Sequence, residues 1–379
     1  MKFKYPVVLQ RKNLLFSMLT LLLQLFFSCA SDSPDIPVKP IPEPVGPTAL
    51  RWVKPSHFPD PVYDLTKNPL TVEGAMLGKY LFYDGILSRT NVIGCGTCHQ
   101  QATAFTHHGH ELSHGVGDQL GTRNAPAVQN LAWNTSFFWD GNQHLLDSVS
   151  LFPIQNKVEM DETMDNILIK LRAIPLAGTK VQVDYPKMFK AAYGSEEITS
   201  EKVRKALSQF MMTMVSANSK YDYYVLGDAS ALSTEEKTGL SLFKQHCSSC
   251  HSGELFTDHS FRNNGLPPVK IDDQGRFAIT GKENDRYKFK VPSLRNVGLT
   301  APYMHDGRFV TLEQVLTHYT DNMQASATLD DTFKQAGGKV GITLTAAEKQ
   351  SIILFLRTLS DDQFITDSRL SDPGIGNAF

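Results

Sequence analysis

The sequence contains few cysteines and no concentration of charge. Only 5 of its 379 residues are cysteine, and four of these form two closely spaced pairs, so the remaining Cys29 has no partner for a disulfide. The formal net charge is −2 at pH 7, and no basic run occurs beyond the N-terminal leader, which removes the electrostatic case for binding nucleic acid. No stretch alternates apolar and polar residues as a long strand would, so a β-rich fold is not expected.

One apolar run stands out, at residues 14–27, and it is short for a membrane span. Basic residues precede it and the small-residue sequence 28–30 follows it, as in a secretory signal. We therefore predict a signal peptide at residues 1–29 and a mature protein in the periplasm or cell envelope. Cys29, followed by a polar, proline-rich tether at residues 30–50, predicts a lipid anchor to the membrane. The alternative is ordinary cleavage nearby that discards Cys29.

Both cysteine pairs belong to complete CxxCH motifs, the attachment signature of c-type haem. In this motif two thioethers hold the porphyrin, and the adjacent histidine supplies an imidazole to the iron. The competing interpretations are a zinc site and a redox disulfide. A zinc site would require four thiolates close together, without a histidine directly after each pair. We therefore predict two covalently bound haem c groups. Their attachment residues are Cys95, Cys98 and His99 in the first motif and Cys247, Cys250 and His251 in the second.

The length that remains after the leader and tether, roughly 330 residues, is typical of two domains. We predict a first haem domain at residues 51–230 and a second at residues 231–379. Capping boxes, in which a Ser or Thr is followed three residues later by Glu or Gln, predict three helix starts. These are Ser233 with Glu236, Thr311 with Gln314, and Thr345 with Glu348. The predicted fold class is mainly α, with two cytochrome c-like domains that each bind one covalent haem.

Six further short runs lie outside the haem motifs and are spread along most of the mature chain. They are residues 77–84, 121–126, 138–141, 153–160, 291–296 and 300–307. In combination they resemble the bacterial dihaem cytochrome c peroxidase/MauG superfamily. The resemblance implies that hydrogen peroxide reacts at the haem on His99, and that the haem on His251 receives electrons from a small periplasmic donor such as a monohaem cytochrome c or a cupredoxin.

The leading hypothesis is thus an exported dihaem peroxidase that reduces hydrogen peroxide to water. One alternative is a MauG-like dihaem oxidase that acts on a partner protein, and another is a dihaem electron carrier without peroxide chemistry. The sequence does not fix the oligomeric state, and a homodimer stays open.

The resemblance also implies two catalytic residues in the first domain. Glu159 matches the family's acid/base, which moves a proton between the two peroxide oxygens; a carboxylate in an apolar pocket suits this task through a raised pKa. Trp139 matches a tryptophan that relays electrons between the haems. The alternatives are a solvated loop residue for Glu159 and an ordinary core aromatic for Trp139. A glutamine that often accompanies the glutamate in the peroxidases is Val149 in this chain.

Further ligands are implied by the same resemblance. Within the histidine cluster at residues 107–114, His114 is the candidate for an iron ligand of the resting first haem, and His110 is the other candidate. The alternative is a surface cluster that binds nothing or a stray metal. Oxygen atoms of three residues match positions that hold a Ca²⁺ ion between the domains. These residues are Asn124, Thr300 and Pro302. Charge complementarity suggests Arg295 and His259 as partners of the haem propionates.

The distal ligand of the second haem has two candidates. The family position is a methionine in the peroxidases and a tyrosine in MauG, and in this chain it is Tyr319. Tyr319 shares one face of the predicted helix with Leu312, Val315 and Leu316, so its phenol is expected to point inward. Met304 is the rival, because a thioether would raise the potential of the iron, whereas a phenolate favours the ferric and higher states. A core tyrosine without an iron bond is the remaining alternative.

Overall fold

The computed structural model describes residues 46–173, 183–269 and 271–375. The predicted signal peptide, Cys29 and most of the predicted tether lie outside these residues. Within the described ranges, no helix combines the length and the apolar character needed to cross a membrane.

The chain is mainly α-helical, which confirms the predicted fold class. The α-helices are α1 Val72–Tyr83, α2 Cys95–Cys98, α3 Leu146–Val149, α4 Leu151–Gln155, α5 Met164–Arg172, α6 Tyr185–Tyr193, α7 Ser200–Thr213, α8 Lys220–Val225, α9 Thr234–His246, α10 Phe277–Thr280, α11 Leu312–Thr317, α12 Ala346–Arg357 and α13 Asp362–Thr366. The strands of the described part are β1 Phe261–Arg262 and β2 Phe289–Lys290, which pair antiparallel with Phe261 opposite Lys290.

All three predicted capping boxes are present in the structure. They begin α9, α11 and α12, and in each the Ser or Thr side chain accepts a hydrogen bond from the third helical residue, whose own side chain caps in return. Helix α9 ends at His246, so its C-terminus leads directly into Cys247. Helix α11 is shorter than the predicted apolar stripe, because a π-helical turn, His318–Asn322, follows it and carries Tyr319.

Each haem motif follows a helix that packs closely on a later helix through a glycine. Gly78 of α1 faces α7, where an added Cβ would lie 1.9 Å from the carbonyl oxygen of Ala206. Gly239 of α9 faces α12 in the same manner, and a Cβ there would lie 1.9 Å from the carbonyl oxygen of Ser351. The α9–α12 pair therefore fixes the position from which the second CxxCH motif starts, and the α1–α7 pair holds the long helix that precedes the first motif.

The buried apolar residues form two main cores that cross the predicted domain boundary. The first is built around α1, α5, α6 and α7, and the second around α9 and α12. Leu255, Phe364 and Leu370 follow the boundary in sequence but belong to the first core, whereas Tyr221 precedes it and belongs to the second. The division between residues 230 and 231 stays a prediction.

The close approach of α9 and α12 leads to a stability prediction. Gly239→Ala should lower the free energy of unfolding by about 1–3 kcal/mol, because the methyl group would overlap the Ser351 backbone and force the helices apart. Ser241→Ala, at an exposed position of the same helix, is the control and should change it by less than about 0.5 kcal/mol. Denaturant unfolding of the two variants measures the difference; equal midpoints would contradict this account of the helix contact.

Candidate functional site

The first CxxCH motif opens into the larger of the two cavities that contain a motif, with a volume of about 740 Å³. Cys95, Cys98 and His99 all line it. Nδ1 of His99 donates a hydrogen bond to the carbonyl oxygen of Phe105 at 2.8 Å. This bond places the ring proton on Nδ1, so Nε2 keeps the lone pair that a metal ligand needs. Burial lowers the pKa of His99, which favours the same neutral form.

The second motif repeats this arrangement in a cavity of about 230 Å³. Cys247, Cys250 and His251 line it, and Nδ1 of His251 donates to the carbonyl oxygen of Phe256 at 3.1 Å. Burial raises the pKa of Cys247 to about 12, as it does for Cys95. Two cavities, each with a pair of unbridged thiols and an oriented neutral imidazole, fit two covalently attached haems.

Glu159 lies on the wall of the first cavity, where sequence analysis predicts the acid/base. Asn156 Nδ2 donates a hydrogen bond to its Oε1 at 2.7 Å. Burial raises the pKa of Glu159, and the Asn156 hydrogen bond opposes that rise. Gln155 and Asn156 also line the cavity, together with Val149. The amide of Asn156 therefore contacts the carboxyl group, and Gln155 supplies a second amide to the cavity wall, although Val149 stands where the resemblance implies a glutamine. Sequence analysis missed Asn156, whose local signal is its position three residues before Glu159.

The loop of the histidine cluster is anchored beside Glu159. The amide of Val116 donates to the carbonyl oxygen of Glu159 at 2.7 Å. At Gly115 an added Cβ would lie 2.2–2.5 Å from backbone atoms of Val158 and Glu159, so only glycine permits this approach. The neighbouring His114 consequently reaches the first cavity.

Among the histidines of the cluster, the one on the wall of the first cavity is His114. His110 is not among the lining residues; its ring stacks on His107, with centroids 4.2 Å apart, and meets His114 edge-on at 5.2 Å. Nδ1 of His114 donates to Asp118 Oδ1 at 2.5 Å, which leaves Nε2 as the nitrogen for a metal. Iron ligation by His114 stays a prediction. The described residues contain no group of three or more His, Cys, Asp or Glu arranged to hold a metal ion.

Trp139 forms part of the wall of both cavities. Its indole Nε1 donates to the carbonyl oxygen of Asn124 at 2.9 Å, and its own carbonyl oxygen accepts from the amide of Lys290 at 2.7 Å. The side chain is half-buried, and the residue is held by one hydrogen bond from its indole and one to its backbone. This placement suits a relay between two cofactors, a role that stays a prediction.

Both candidate ligands of the second haem lie on the wall of the second cavity. Nδ2 of Asn264 is 3.5 Å from Met304 Sδ and 3.5 Å from Tyr319 Oη, so the two side chains approach the same amide. Burial raises the pKa of Tyr319 to about 12, while Asn264 opposes the rise. A phenolate at this position therefore requires a positive charge close to its oxygen. The backbone of Met304 has φ 73°, a conformation that a non-glycine residue adopts only when its surroundings impose it.

The three predicted calcium ligands, Asn124, Thr300 and Pro302, all line the second cavity. Asn124 Nδ2 donates to the carbonyl oxygens of His110 and Glu111 at 3.2 and 3.1 Å, which leaves its Oδ1 as the side-chain oxygen available to a cation. Calcium binding stays a prediction.

Arg295 has a different main partner from the one expected for a propionate ligand. Its side chain is fully buried, and its two terminal nitrogens contact both carboxylate oxygens of Asp222 at 3.0 and 2.8 Å. Nε donates to the carbonyl oxygen of Glu254, and the guanidinium lies 4.4 Å from the ring centre of Phe58. The structure thus supplies a carboxylate from the protein itself, and the propionate role stays a prediction. Sequence analysis did not identify Asp222.

Comparison with known proteins gives consistent matches. Residues 72–230 match the family model described as di-haem cytochrome c peroxidase. The chain is 36% identical over 312 residues to methylamine utilization protein MauG of Methylorubrum extorquens, covering 82% of this chain and 83% of that protein. It is 33% identical over 303 residues to cytochrome c551 peroxidase of Nitrosomonas europaea, covering 78% and 82%.

A solved structure of a MauG-like protein associated with microbial copper homeostasis superimposes with a TM-score of 0.75 at 33% identity, covering 86% of this chain and 99% of that one. The di-haem peroxidase BthA from Burkholderia thailandensis, at 20% identity and a TM-score of 0.66, shares the fold. These similarities agree with two cavities that each contain a haem attachment motif.

Proposed function

The chain belongs to the di-haem cytochrome c peroxidase family, and we propose that it reduces hydrogen peroxide to water with electrons from a small redox donor. Glu159 carries the proposal, because it places a half-buried carboxyl group with a raised pKa on the wall of the cavity that contains His99. An electron carrier without peroxide chemistry has no need of such a group.

The reaction consumes two electrons and two protons for each peroxide and yields two waters. A haem attached through Cys95, Cys98 and His99 would supply the redox-active iron at which peroxide is reduced. Glu159 can accept the proton of one peroxide oxygen and return it to the oxygen that leaves as water. Asn156 holds Oε1 of this carboxyl group, so that the proton is exchanged from a fixed position.

We assign the electron relay to Trp139. The indole belongs to both cavity walls, and its hydrogen bond to the Asn124 carbonyl fixes the ring in the partition between them. We also assign the Ca²⁺ ion to Asn124, Thr300 and Pro302, since carbonyl and amide oxygens are ligands that a hard cation prefers. An ion there would restrain the backbone that Trp139 contacts.

We propose that the protein acts outside the cytoplasm, in the periplasm or cell envelope, with a lipid on Cys29. The proposal rests on the sequence of residues 1–29 and on the chemistry of c-type haem. It agrees with a small redox protein as the electron donor, because such a donor can diffuse to an enzyme that is tethered to a membrane.

A MauG-like oxidase is the second candidate, favoured by the position of Tyr319 on the wall of the second cavity. In that case the oxidising equivalents of peroxide would pass to a side chain of a partner protein. The similarity to MauG and to a MauG-like protein associated with copper homeostasis supports this candidate.

Steady-state turnover separates the two candidates. The purified holoprotein is mixed with peroxide and with a reduced monohaem cytochrome c or cupredoxin, and oxidation of the donor is followed optically. Multiple turnovers per enzyme would support the peroxidase. Oxidation of the enzyme by peroxide without donor turnover would favour the MauG-like oxidase, and no reaction with peroxide would contradict both.

Haem content gives a prediction that precedes any assay. Mass spectrometry of the exported protein should show two covalent haems per chain, because each cavity presents a complete attachment motif. Changing Cys247 and Cys250 to serine should reduce the number to one. Cys29→Ser is the control and should retain both haems; a wild-type chain with a single haem would contradict the two-cavity interpretation.

A further inference from the structure

Lys290 occupies the partition between the two cavities. It is the second residue of β2, and its backbone amide holds the carbonyl oxygen of Trp139 at 2.7 Å. Its side chain contributes to the walls of both cavities. The strand pairing with Phe261 fixes the backbone, so the ammonium group is directed to this region by the fold.

The charge of Lys290 lacks the compensation that the other cations of these walls possess. The arginines on the walls each contact at least one carboxylate within 3.0 Å. These pairs are Arg123 with Asp140 and Asp273, Arg262 with Asp258 and Asp330, and Arg295 with Asp222. Among the residues that the structure describes, Lys290 has no such ion pair. An ammonium group removed from bulk water is costly unless an anion lies close to it.

Burial lowers the pKa of Lys290 to about 8, and Asp258 opposes this only through a longer-range attraction. The carboxylate of Asp258 is itself engaged by Arg262 and Ser260. In the part of the chain that the structure describes, Lys290 therefore has no carboxylate as an ion-pair partner.

His259 presents a second unsatisfied group on the same wall. It lines the first cavity with Lys290, and its Nδ1 is buried without a hydrogen-bond partner in the described structure. The backbone of His259 has φ 58°, held by a hydrogen bond from its amide to Thr257 Oγ1 at 3.0 Å. Burial, and next the charge of Lys290, lower the pKa of the imidazole to about 4, so it is a neutral ring that can donate one hydrogen bond.

We propose that Lys290 and His259 together form the binding site for a propionate carboxylate of the haem in the first cavity. Each haem carries two propionates, which are anions of the kind that this wall lacks. A carboxylate there would neutralise the ammonium group and accept a hydrogen bond from the imidazole, and charge-assisted hydrogen bonds of this type are the strong ones. Arg295 is not needed for this site, since Asp222 already compensates it.

The site has a consequence for the redox chemistry of the first haem. A positive charge close to the iron stabilises the ferrous state relative to the ferric state and so raises the reduction potential. Lys290 supplies that charge from the partition in which Trp139 lies. Removal of the charge should therefore lower the potential of the first haem more than that of the second.

The test compares Lys290→Met with Lys290→Arg in the holoprotein, with both haems attached. Spectroelectrochemical titration of Lys290→Met should show the ferrous-to-ferric ratio of the first haem, at fixed applied potential, reduced about tenfold, which is about 59 mV for a one-electron couple. Resonance Raman spectra should show a shifted propionate bending mode of the same haem. Lys290→Arg keeps the positive charge and should retain the wild-type potential and the wild-type propionate mode. The exposed Lys282→Met is the control for loss of one positive charge.

His259→Phe provides an independent variant in case Lys290→Met does not incorporate haem. It removes the hydrogen-bond donor but keeps a ring, and should shift the propionate mode while the potential changes less. Unchanged propionate modes and potentials in the variants that retain haem would overturn the proposal. A shift confined to the second haem would also overturn it, because the carboxylate would then belong to the other cavity.

Discussion

Replacement of Glu159 by glutamine is expected to slow the cleavage of hydrogen peroxide by about 10²-fold or more while both haems remain attached. Glutamine has nearly the shape of glutamate and can still contact Asn156, so the cavity wall should be preserved. It cannot accept the peroxide proton and return it, and that loss is the reason for the expected effect. Stopped-flow mixing of the reduced or mixed-valence protein with peroxide measures the rate constant directly.

The pH dependence adds a signature that a merely structural role would not give. The carboxylate is the form that accepts the proton, so the rate constant should fall as pH drops through the pKa of Glu159. Burial raises that pKa, so the rate constant should begin to fall at a pH above the ordinary pKa range of a glutamate. In Glu159→Gln this decrease of the rate constant at low pH should disappear. Glu197→Gln, at an exposed position, is the matched control and should retain both the wild-type rate constant and its decrease at low pH. Wild-type kinetics in Glu159→Gln would refute the acid/base assignment.

The local features of the fold were predictable from sequence, because they depend on residues close together in the chain. The capping boxes of α9, α11 and α12 each join residues three apart, and all three occur as predicted. The two attachment motifs are equally local, and both lie on cavity walls. The π-helical turn that carries Tyr319 was not predicted, since the apolar stripe of α11 continues through it without a change of pattern.

Partners that are distant in sequence were not predictable in this way. Asp222 and Arg295 are 73 residues apart, and nothing around either residue indicates that they form a buried ion pair. Asn264 and Tyr319 are 55 residues apart and meet only because the second cavity brings them together. The uncompensated charge of Lys290 becomes visible only when the partners of the neighbouring arginines are known. Motifs therefore identified the haem-attachment residues and the candidate side chains on the cavity walls, and packing was required to identify the residues that orient them.

Tyr319→Phe is expected to remove the distal ligand of the second haem, with a larger spectroscopic change than Met304→Leu. Tyr319 reaches the second cavity from the π-helical turn, and its phenol needs a cation nearby to lose its proton because burial raises its pKa to about 12. A ferric iron is such a cation, and phenolate coordination stabilises the ferric and higher states. Met304 approaches the same amide of Asn264 at the same distance, so the geometry alone leaves both side chains within reach of one position.

The two ligands differ in a measurable way. A phenolate should give tyrosinate modes in the resonance Raman spectrum of the ferric protein, and these should vanish in Tyr319→Phe and persist in Met304→Leu. Coordination by methionine would instead give a near-infrared band that persists in Tyr319→Phe and vanishes in Met304→Leu. That second pattern would overturn the assignment. It would also weaken the MauG-like candidate and support the proposed peroxidase, because a thioether raises the potential of the second haem and makes it a better electron acceptor.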